Sequence, residues 1–175
     1  MLFLSVTYKP NFMKNLILLF VLLTSTLLSA QAFKGKGDQK FQVGVNLQEH
    51  ASGVNASYDY GLGENISLGI SSSYLLGVSD SLDPDFGDRF DLKGRFNANI
   101  GNVLGVSEKF DLYPGLNLSL KNFGGHVGVR YFFTDGFGIF AETSFPIARY
   151  NNDDLTPAEK LNNQFALCFG ASFNL

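Results

Sequence analysis

Hydrophobic and polar residues alternate along most of the chain from Lys40 onward. In the first run, apolar side chains at Phe41, Val43, Val45 and Leu47 are separated by polar or small residues. Because successive side chains of a β-strand point to opposite faces, this period of two predicts a strand. The pattern recurs in seven further runs, so the predicted strands cover residues 40–48, 53–60, 65–76, 89–100, 110–121, 126–133, 137–145 and 164–175.

Two places depart from this alternation. Pro114 lies inside the fifth predicted strand and has no N–H to donate to a neighbouring strand, so we expect a bulge or a local break there. In the region of the predicted strands the helical period is missing, apart from a short turn expected around 157–161.

The predicted strands have the length of tilted strands that cross a bilayer, and their number suits a small closed barrel. Their apolar face carries bulky Phe, Tyr and Leu, whereas the polar face is rich in Gly, Ser and Asn, which fit a narrow interior. Aromatic residues collect near the strand ends, as in the girdles of membrane barrels. We therefore predict an all-β fold: an eight-stranded antiparallel up-and-down transmembrane β-barrel.

The alternative is the inverted arrangement, a secreted soluble barrel of lipocalin type that binds an apolar ligand inside. In that case the charged residues of the polar face would be accessible from outside the barrel. Lys93, Arg95, Arg130 and Glu142 are the residues that distinguish the two arrangements.

The segment before the barrel has the pattern of a secretory signal peptide. Lys14 precedes an uncharged apolar run, and the small residues Ala30 and Ala32 follow it. We assign residues 1–32 to a cleavable signal peptide and 33–175 to the barrel domain, with residues 1–12 as a candidate gene-start artefact. Cleavage after Ala30 and cleavage after Ala32 both fit the pattern, and a retained membrane anchor is the alternative.

Composition narrows the range of functions. The chain of 175 residues has a formal net charge of −3, which argues against a nucleic-acid partner. One cysteine rules out an internal disulfide framework, and two histidines leave little material for a metal site. We predict no cofactor and no bound metal, and we interpret Cys168 as a small filler on the interior face.

Several of these segments resemble a known group of proteins. The Gly-Val-Arg-Tyr-Phe-Phe-Thr hairpin at 128–134, the following residues 137–142 and the aromatic alternation at the C-terminus look like small outer-membrane β-barrels of the OmpA/OmpX type. The likeness is to an uncharacterised family of such proteins. It implies a monomer in the outer membrane of a Gram-negative bacterium, with lipid as its partner. It also implies that the barrel-assembly machinery recognises the last strand, which ends in Leu175 with Phe173 two residues before it.

The predicted interior carries charged residues of both signs. They are Asp59, Asp91, Lys93, Arg95, Asp111, Arg130 and Glu142. Buried charges must be paired, because an isolated buried charge costs several kcal/mol. If Phe133 pairs with Phe137, Glu142 and Arg130 become diagonal neighbours, and we expect a salt-bridge network around them that closes the lumen. The alternative is that these charges line a water-filled channel.

A catalytic role is the remaining function class. His126 is predicted to face inward near Ser119 or Lys121, and a Ser–His pair is a nucleophilic arrangement. A single inward histidine more commonly joins a polar network, so we predict that the protein is not an enzyme and has a structural or surface-interaction role.

Recognition is expected in the two long outer loops, 77–88 and 146–163. Their candidate residues are Asp83, Asp85, Asp88, Arg149, Asp153 and Asp154. The acidic loop lacks the ligand spacing of an EF-hand, so we interpret it as a solvated loop and not as a calcium site.

Overall fold

The computed structural model describes residues 31–79, 82–151 and 155–175. Eight antiparallel strands form a closed barrel, each pairing with the next and the last with the first. They are β1 (Gln39–Gln48), β2 (Ala51–Gly61), β3 (Ile66–Val78), β4 (Phe90–Ala98), β5 (Phe110–Ser119), β6 (Asn122–Phe132), β7 (Phe137–Arg149) and β8 (Ala166–Asn174). Two short helices, α1 (Phe86–Arg89) and α2 (Gly101–Leu104), lie in connections. None of the helices in these residues is long and apolar enough to span a membrane.

The predicted strands and their closure into an antiparallel barrel are confirmed, and the largest differences in strand boundaries are at the start of β6 and the end of β7. A connection was expected around 122–125, but β6 begins at Asn122 and a two-residue hairpin at 120–121 joins it to β5. Glycines at 124 and 125 interrupt the alternation and hide this strand in the sequence. Strand β7 continues to Arg149, so the last long loop begins later than predicted.

The apolar face points outward and the polar face points inward. Val45 and Ile70 are exposed on the outer surface, whereas Gln42, Asp59 and Asn97 are buried inside. A soluble barrel with an apolar interior requires the opposite arrangement, so the lipocalin-type alternative is wrong. The outer surface is instead suited to lipid.

Pro114 produces a local break and not a bulge. The β4–β5 ladder runs from Lys93↔Ser119 to Asn97↔Gly115 and stops directly before Pro114. A bond from the Ile100 N–H to the Leu112 carbonyl restores the same register beyond the break. Because proline has no N–H to donate, the hydrogen bonding between β4 and β5 (the β4–β5 seam) is interrupted at Pro114. The register of the two strands is the same on both sides of the break.

The two ends of the barrel differ in their connections. We name one end of the barrel the termini end, because β1 starts there and β8 ends there. Its connections are 62–65, 99–109 and 133–136. The opposite end, here named the loop end, has connections at 49–50, 79–89, 120–121 and 150–165. The two longest predicted loops thus lie at one end.

Aromatic rings form a continuous chain around part of the termini end. Phe41 contacts Phe173, Phe173 contacts Phe137, and Phe137 contacts Phe133, with ring centroids 5.7–6.4 Å apart. At the loop end the Phe86 ring of α1 lies between Phe90 and the Tyr74 ring. Both positions match the interfacial girdles of membrane barrels.

Candidate functional site: the filled lumen

The centre of the lumen holds a layer of ion pairs that joins distant strands. Arg95 of β4 contacts Glu142 of β7, with Nη2 2.7 Å from Oε2, and contacts Asp59 of β2, with Nε 3.1 Å from Oδ1. The Arg95 and Asp59 side chains are buried, whereas the Glu142 side chain is partly buried, with 14% of its surface exposed. One guanidinium of β4 therefore connects carboxylates of β2 and β7, two strands that do not pair with β4.

Arg130 of β6 makes a second set of contacts on the side of the termini end. Its Nη2 donates to Asp111 Oδ2 at 2.8 Å and to Asn99 Oδ1 at 2.6 Å, and Nη1 lies 3.9 Å from Asp59 Oδ2. The register puts Arg130 opposite Phe140, so Arg130 and Glu142 are diagonal neighbours, as expected. Glu142 nevertheless pairs with Arg95 of β4, across the lumen, and not with Arg130. Arg130 pairs instead with Asp111 of β5, its other neighbouring strand.

Tyr113 fills the space between the two guanidinium groups. Its ring centroid lies 4.6 Å from Arg130 Cζ and 5.8 Å from Arg95 Cζ, and the side chain is fully buried. Gly128 on β6 makes this position available, since a Cβ there would lie 2.2 Å from a Tyr113 ring atom. The aromatic ring adds cation–π attraction to the ion pairs.

The segment before β1 enters the barrel mouth at the termini end. The Ala32 N–H donates to the Glu108 carbonyl at 2.7 Å, and Ala32 packs on the buried Phe132. The buried Phe33 ring has Lys40 Nζ 5.9 Å and Arg130 Cζ 6.0 Å from its centroid. This segment therefore caps the termini end with an aromatic ring.

Residues of the last long connection cover the loop end. Leu161 is buried against Ala51 and Leu75, and its carbonyl accepts a bond from Gln48 Nε2 at 2.6 Å. Asn122 Nδ2 donates to the Asn162 carbonyl at 3.0 Å. Between this cover and the Arg95–Glu142 pair the polar lumen holds a cavity of about 30 Å³, which has room for about two water molecules.

The sequence matches a family model over residues 22–175, described as a family of unknown function, DUF6646. The chain belongs to this family. It matches no curated protein. The family match accounts for the whole barrel, and it agrees with the resemblance to an uncharacterised group of barrel proteins.

Two solved structures share the architecture. A de novo designed transmembrane β-barrel superposes with a TM-score of 0.56 at 11% identity, covering 81% of this chain and 98% of the designed one. The N-terminal β-barrel domain of Pseudomonas aeruginosa OprF gives a TM-score of 0.54 at 14% identity, covering 81% and 100% respectively. At these identities the likeness shows the fold alone: this chain shares the small closed barrel of these two proteins.

The Ser–His arrangement considered from sequence is not formed. The Ser119 hydroxyl donates to Asp91 Oδ1 at 2.7 Å, and Lys93 Nζ lies 3.6 Å from Asp91 Oδ2. His126 Nε2 instead lies 2.7 Å from Asn97 Oδ1 in the middle of the lumen. Ser119 and His126 thus each hydrogen-bond to other polar side chains of the lumen. Within the described residues, no group of side chains is arranged to bind a metal ion.

The loop candidates are largely engaged in local structure. Asp85 caps α1 and exchanges bonds with Asp88, whereas Arg149 Nη2 donates to the Asn163 carbonyl at 3.2 Å. Asp83 is exposed and adopts a left-handed backbone with φ of 42°. Asp153 and Asp154 lie outside the described residues, as does nearly all of the predicted signal peptide.

Two titrating groups of the loop end have shifted pKa values. Hydrogen bonds from the Thr156 backbone and side chain hold the pKa of the exposed Glu159 below its ordinary value. Partial burial lowers the pKa of Lys121, opposed by nearby acids beginning with Asp91, and its ammonium donates to the Gly87 carbonyl at 2.6 Å. These groups stabilise the loops locally.

The sequence did not predict that Phe33 and Leu161 cover the two barrel mouths, or that the inward Tyr113 contacts both guanidinium groups. Tyr113 shares the inward parity of Asp111, which is a signal that places it in the lumen. Phe33 and Leu161 lie outside the alternating runs, so the period of two gives no information about them.

Proposed function

We propose that the protein is an integral outer-membrane barrel of a Gram-negative bacterium with a structural or surface-interaction role and a closed lumen. The observation that carries this proposal is the closed barrel with a lipid-compatible outer surface and an interior filled by paired charges. The protein is a monomer without cofactor or catalytic activity, and its surface function resides in the connections at the loop end.

Export and assembly follow from the same proposal. The N-terminal segment, up to Ala30 or Ala32, directs export and is removed, and both termini then face the periplasm. The C-terminal strand β8, which closes the barrel against β1, is the strand that the assembly machinery recognises.

Closure of the lumen is supported at three heights. The buried Phe33 caps the termini end, Arg95 bridges Glu142 and Asp59 at the centre, and Leu161 covers the loop end. Because each of these groups is held by partners from several strands, no continuous water path is expected.

Fractionation tests the membrane location. The full chain is expressed with its N-terminal segment, and the outer-membrane fraction is run on a gel with and without boiling. We expect a band in that fraction that shifts on boiling, because a membrane barrel stays folded in detergent until it is heated. A soluble periplasmic protein without a shift would refute the proposal.

Conductance in planar bilayers tests the closed lumen. We expect silent membranes for the wild type and brief openings for Glu142→Ala, since Arg95 then loses its shortest ion pair. Adding Phe33→Ala lengthens the openings, because it removes the cap at the termini end. Equal, steady currents from all three proteins would show that the lumen is an open channel.

A further inference from the structure

The connection between β4 and β5 at the termini end exposes a group of apolar side chains. Val103, Leu104 and Val106 are 68%, 48% and 68% exposed. From Asn97 to Ser107 the chain carries no charged side chain. Because clustered apolar side chains on a surface are a mark of an interaction site, this connection requires a partner of matching polarity.

The polar and apolar residues of this connection lie on different sides. The barrel mouth holds a cavity of about 420 Å³ next to Phe33, and the connection lines it with small and polar residues: Gly101, Asn102, Gly105, Ser107 and Glu108. Val103, Leu104 and Val106 take no part in that lining. The exposed apolar side chains therefore do not close the mouth, and their partner lies outside it.

Backbone hydrogen bonds fix this arrangement at the rim of the barrel wall. The Ile100 N–H donates to the Leu112 carbonyl at 2.9 Å, and the Leu104 N–H donates to the Ile100 carbonyl at 3.1 Å. The Gly101 N–H donates to Asp111 Oδ1 at 3.0 Å. Helix α2 is thus tied to the ends of both β4 and β5, so its apolar side chains are presented in a defined place.

This place coincides with a gap in the aromatic residues of the termini end. Rings on one side of the barrel form a chain with centroids 5.5–6.4 Å apart, from Tyr131 through Phe133, Phe137 and Phe173 to Phe41. At the same end of β3 and β4 the outward residues are Ile66 and Ala98, which pair with each other and carry no ring.

The gap identifies lipid as the partner of the exposed group. The aromatic chain includes Phe133, which lies just beyond the end of β6, so the chain and the connection 99–109 both lie where strands end. The apolar group continues the outward apolar wall on the side where interfacial rings are missing. A continuous lipid interface around the barrel therefore includes Val103, Leu104 and Val106.

We propose that Val103, Leu104 and Val106 insert into the bilayer interface at the termini end and anchor that side of the barrel. The driving force is burial of their apolar surface, as for amphipathic segments that lie in a membrane interface. The polar residues that line the mouth stay in contact with water. This inference rests on the membrane location proposed above, and the experiment separates the two.

A tryptophan reporter tests the insertion. The chain contains no tryptophan, so a single introduced residue reports its own surroundings. Val103→Trp is refolded into phosphatidylcholine vesicles whose acyl chains carry bromine either close to the headgroup or close to the methyl end. We expect bromine close to the headgroup to remove most of the fluorescence, and bromine close to the methyl end to remove little.

Two control variants calibrate this result. Lys36→Trp replaces an exposed residue of the segment before β1, and we expect emission typical of water and no quenching in either type of vesicle. Val45→Trp lies near the middle of β1 on the outer surface, and we expect the strongest quenching from bromine close to the methyl end. The heat shift on gels reports folding of every variant.

A second pair of variants tests the cause of the insertion. Leu104→Trp is compared alone and together with Val103→Asn and Val106→Asn. We expect the two asparagines to abolish most of the quenching at position 104, because they remove the apolar surface whose burial drives insertion. These side chains are exposed, so the barrel is expected to fold in both proteins.

The outcomes distinguish the anchor from the membrane location. Unquenched Val103→Trp in a folded barrel overturns the anchor, and it is the result expected if this surface docks a protein and not lipid. Equal quenching of Lys36→Trp, or quenching at position 104 that the two asparagines leave unchanged, overturns it too. A folded barrel in which Val45→Trp is unquenched overturns the proposed membrane location as well.

Discussion

At the scale of single residues, the ion pairs of the lumen are the most sensitive groups. Asp111 accepts two bonds from Arg130, at 3.1 and 2.8 Å, and both side chains are buried. Asp111→Asn keeps the shape but removes the charge, which leaves Arg130 with Asp59 as its only carboxylate partner among the described residues. We expect a loss of about 3–5 kcal/mol in the free energy of unfolding.

Urea titration in lipid vesicles, followed by the heat-shifted band, measures this loss. Asp83→Asn is the matched control, because it removes the same charge from an exposed loop position, and its effect is expected to stay within about 0.5 kcal/mol. Equal stability of the two variants would show that the lumen pairs are solvated and not buried.

Gly128 is the second residue with a defined steric role. A methyl group there would overlap the Tyr113 ring that stacks on Arg130, so Gly128→Ala forces the ring to move. We expect a destabilisation of about 1–3 kcal/mol from overpacking, measured by the same urea titration. Gly94→Ala is the control, since its methyl group meets no atom, and a similar loss from both variants would contradict the steric explanation.

At the scale of elements, the β4–β5 seam depends on one missing donor. Pro114 stands in register with Ala98, and the ladder resumes at Ile100. Pro114→Leu supplies an N–H that points to the Ala98 carbonyl, because alternate residues of an antiparallel strand donate to the same neighbour. We expect the new amide to be protected from hydrogen exchange and the Ile100 amide to exchange more slowly.

Exchange measured by NMR in micelles checks this expectation. The Val127 amide, on the other side of β5, serves as the control and should not change, because the β5–β6 ladder already runs through Pro114. Rapid exchange of the new amide that Pro114→Leu introduces would show that the break has a cause other than the missing donor.

The elements also show how far the sequence predicts this fold. Alternation identified all eight strands and the inward parity of Arg95, Arg130 and Glu142, because parity is a local property of a strand. It did not identify Arg95 as the partner of Glu142, since these residues lie on non-adjacent strands and their distance depends on the stagger of the closed barrel. Phe33 and Leu161 were missed because caps at the barrel mouths have no period.

At the scale of the whole molecule, the outward apolar surface decides where the protein resides. Val45 lies near the middle of β1 and points outward, so it is expected to contact the hydrocarbon of the bilayer. Val45→Arg places a charge at that depth, and we expect a loss of about 2–4 kcal/mol in unfolding free energy together with slower insertion into vesicles.

Refolding into phosphatidylcholine vesicles with the boiled and unboiled gel readout measures both effects. Tyr150→Arg is the control, because this exposed residue lies in the last long connection, outside the strands. A soluble barrel would tolerate Val45→Arg as well as Tyr150→Arg, since both side chains would meet water. Only an outer surface in contact with lipid makes the first substitution costly and the second neutral, so the pair tests the orientation of the entire barrel wall independently of the lumen and the loops.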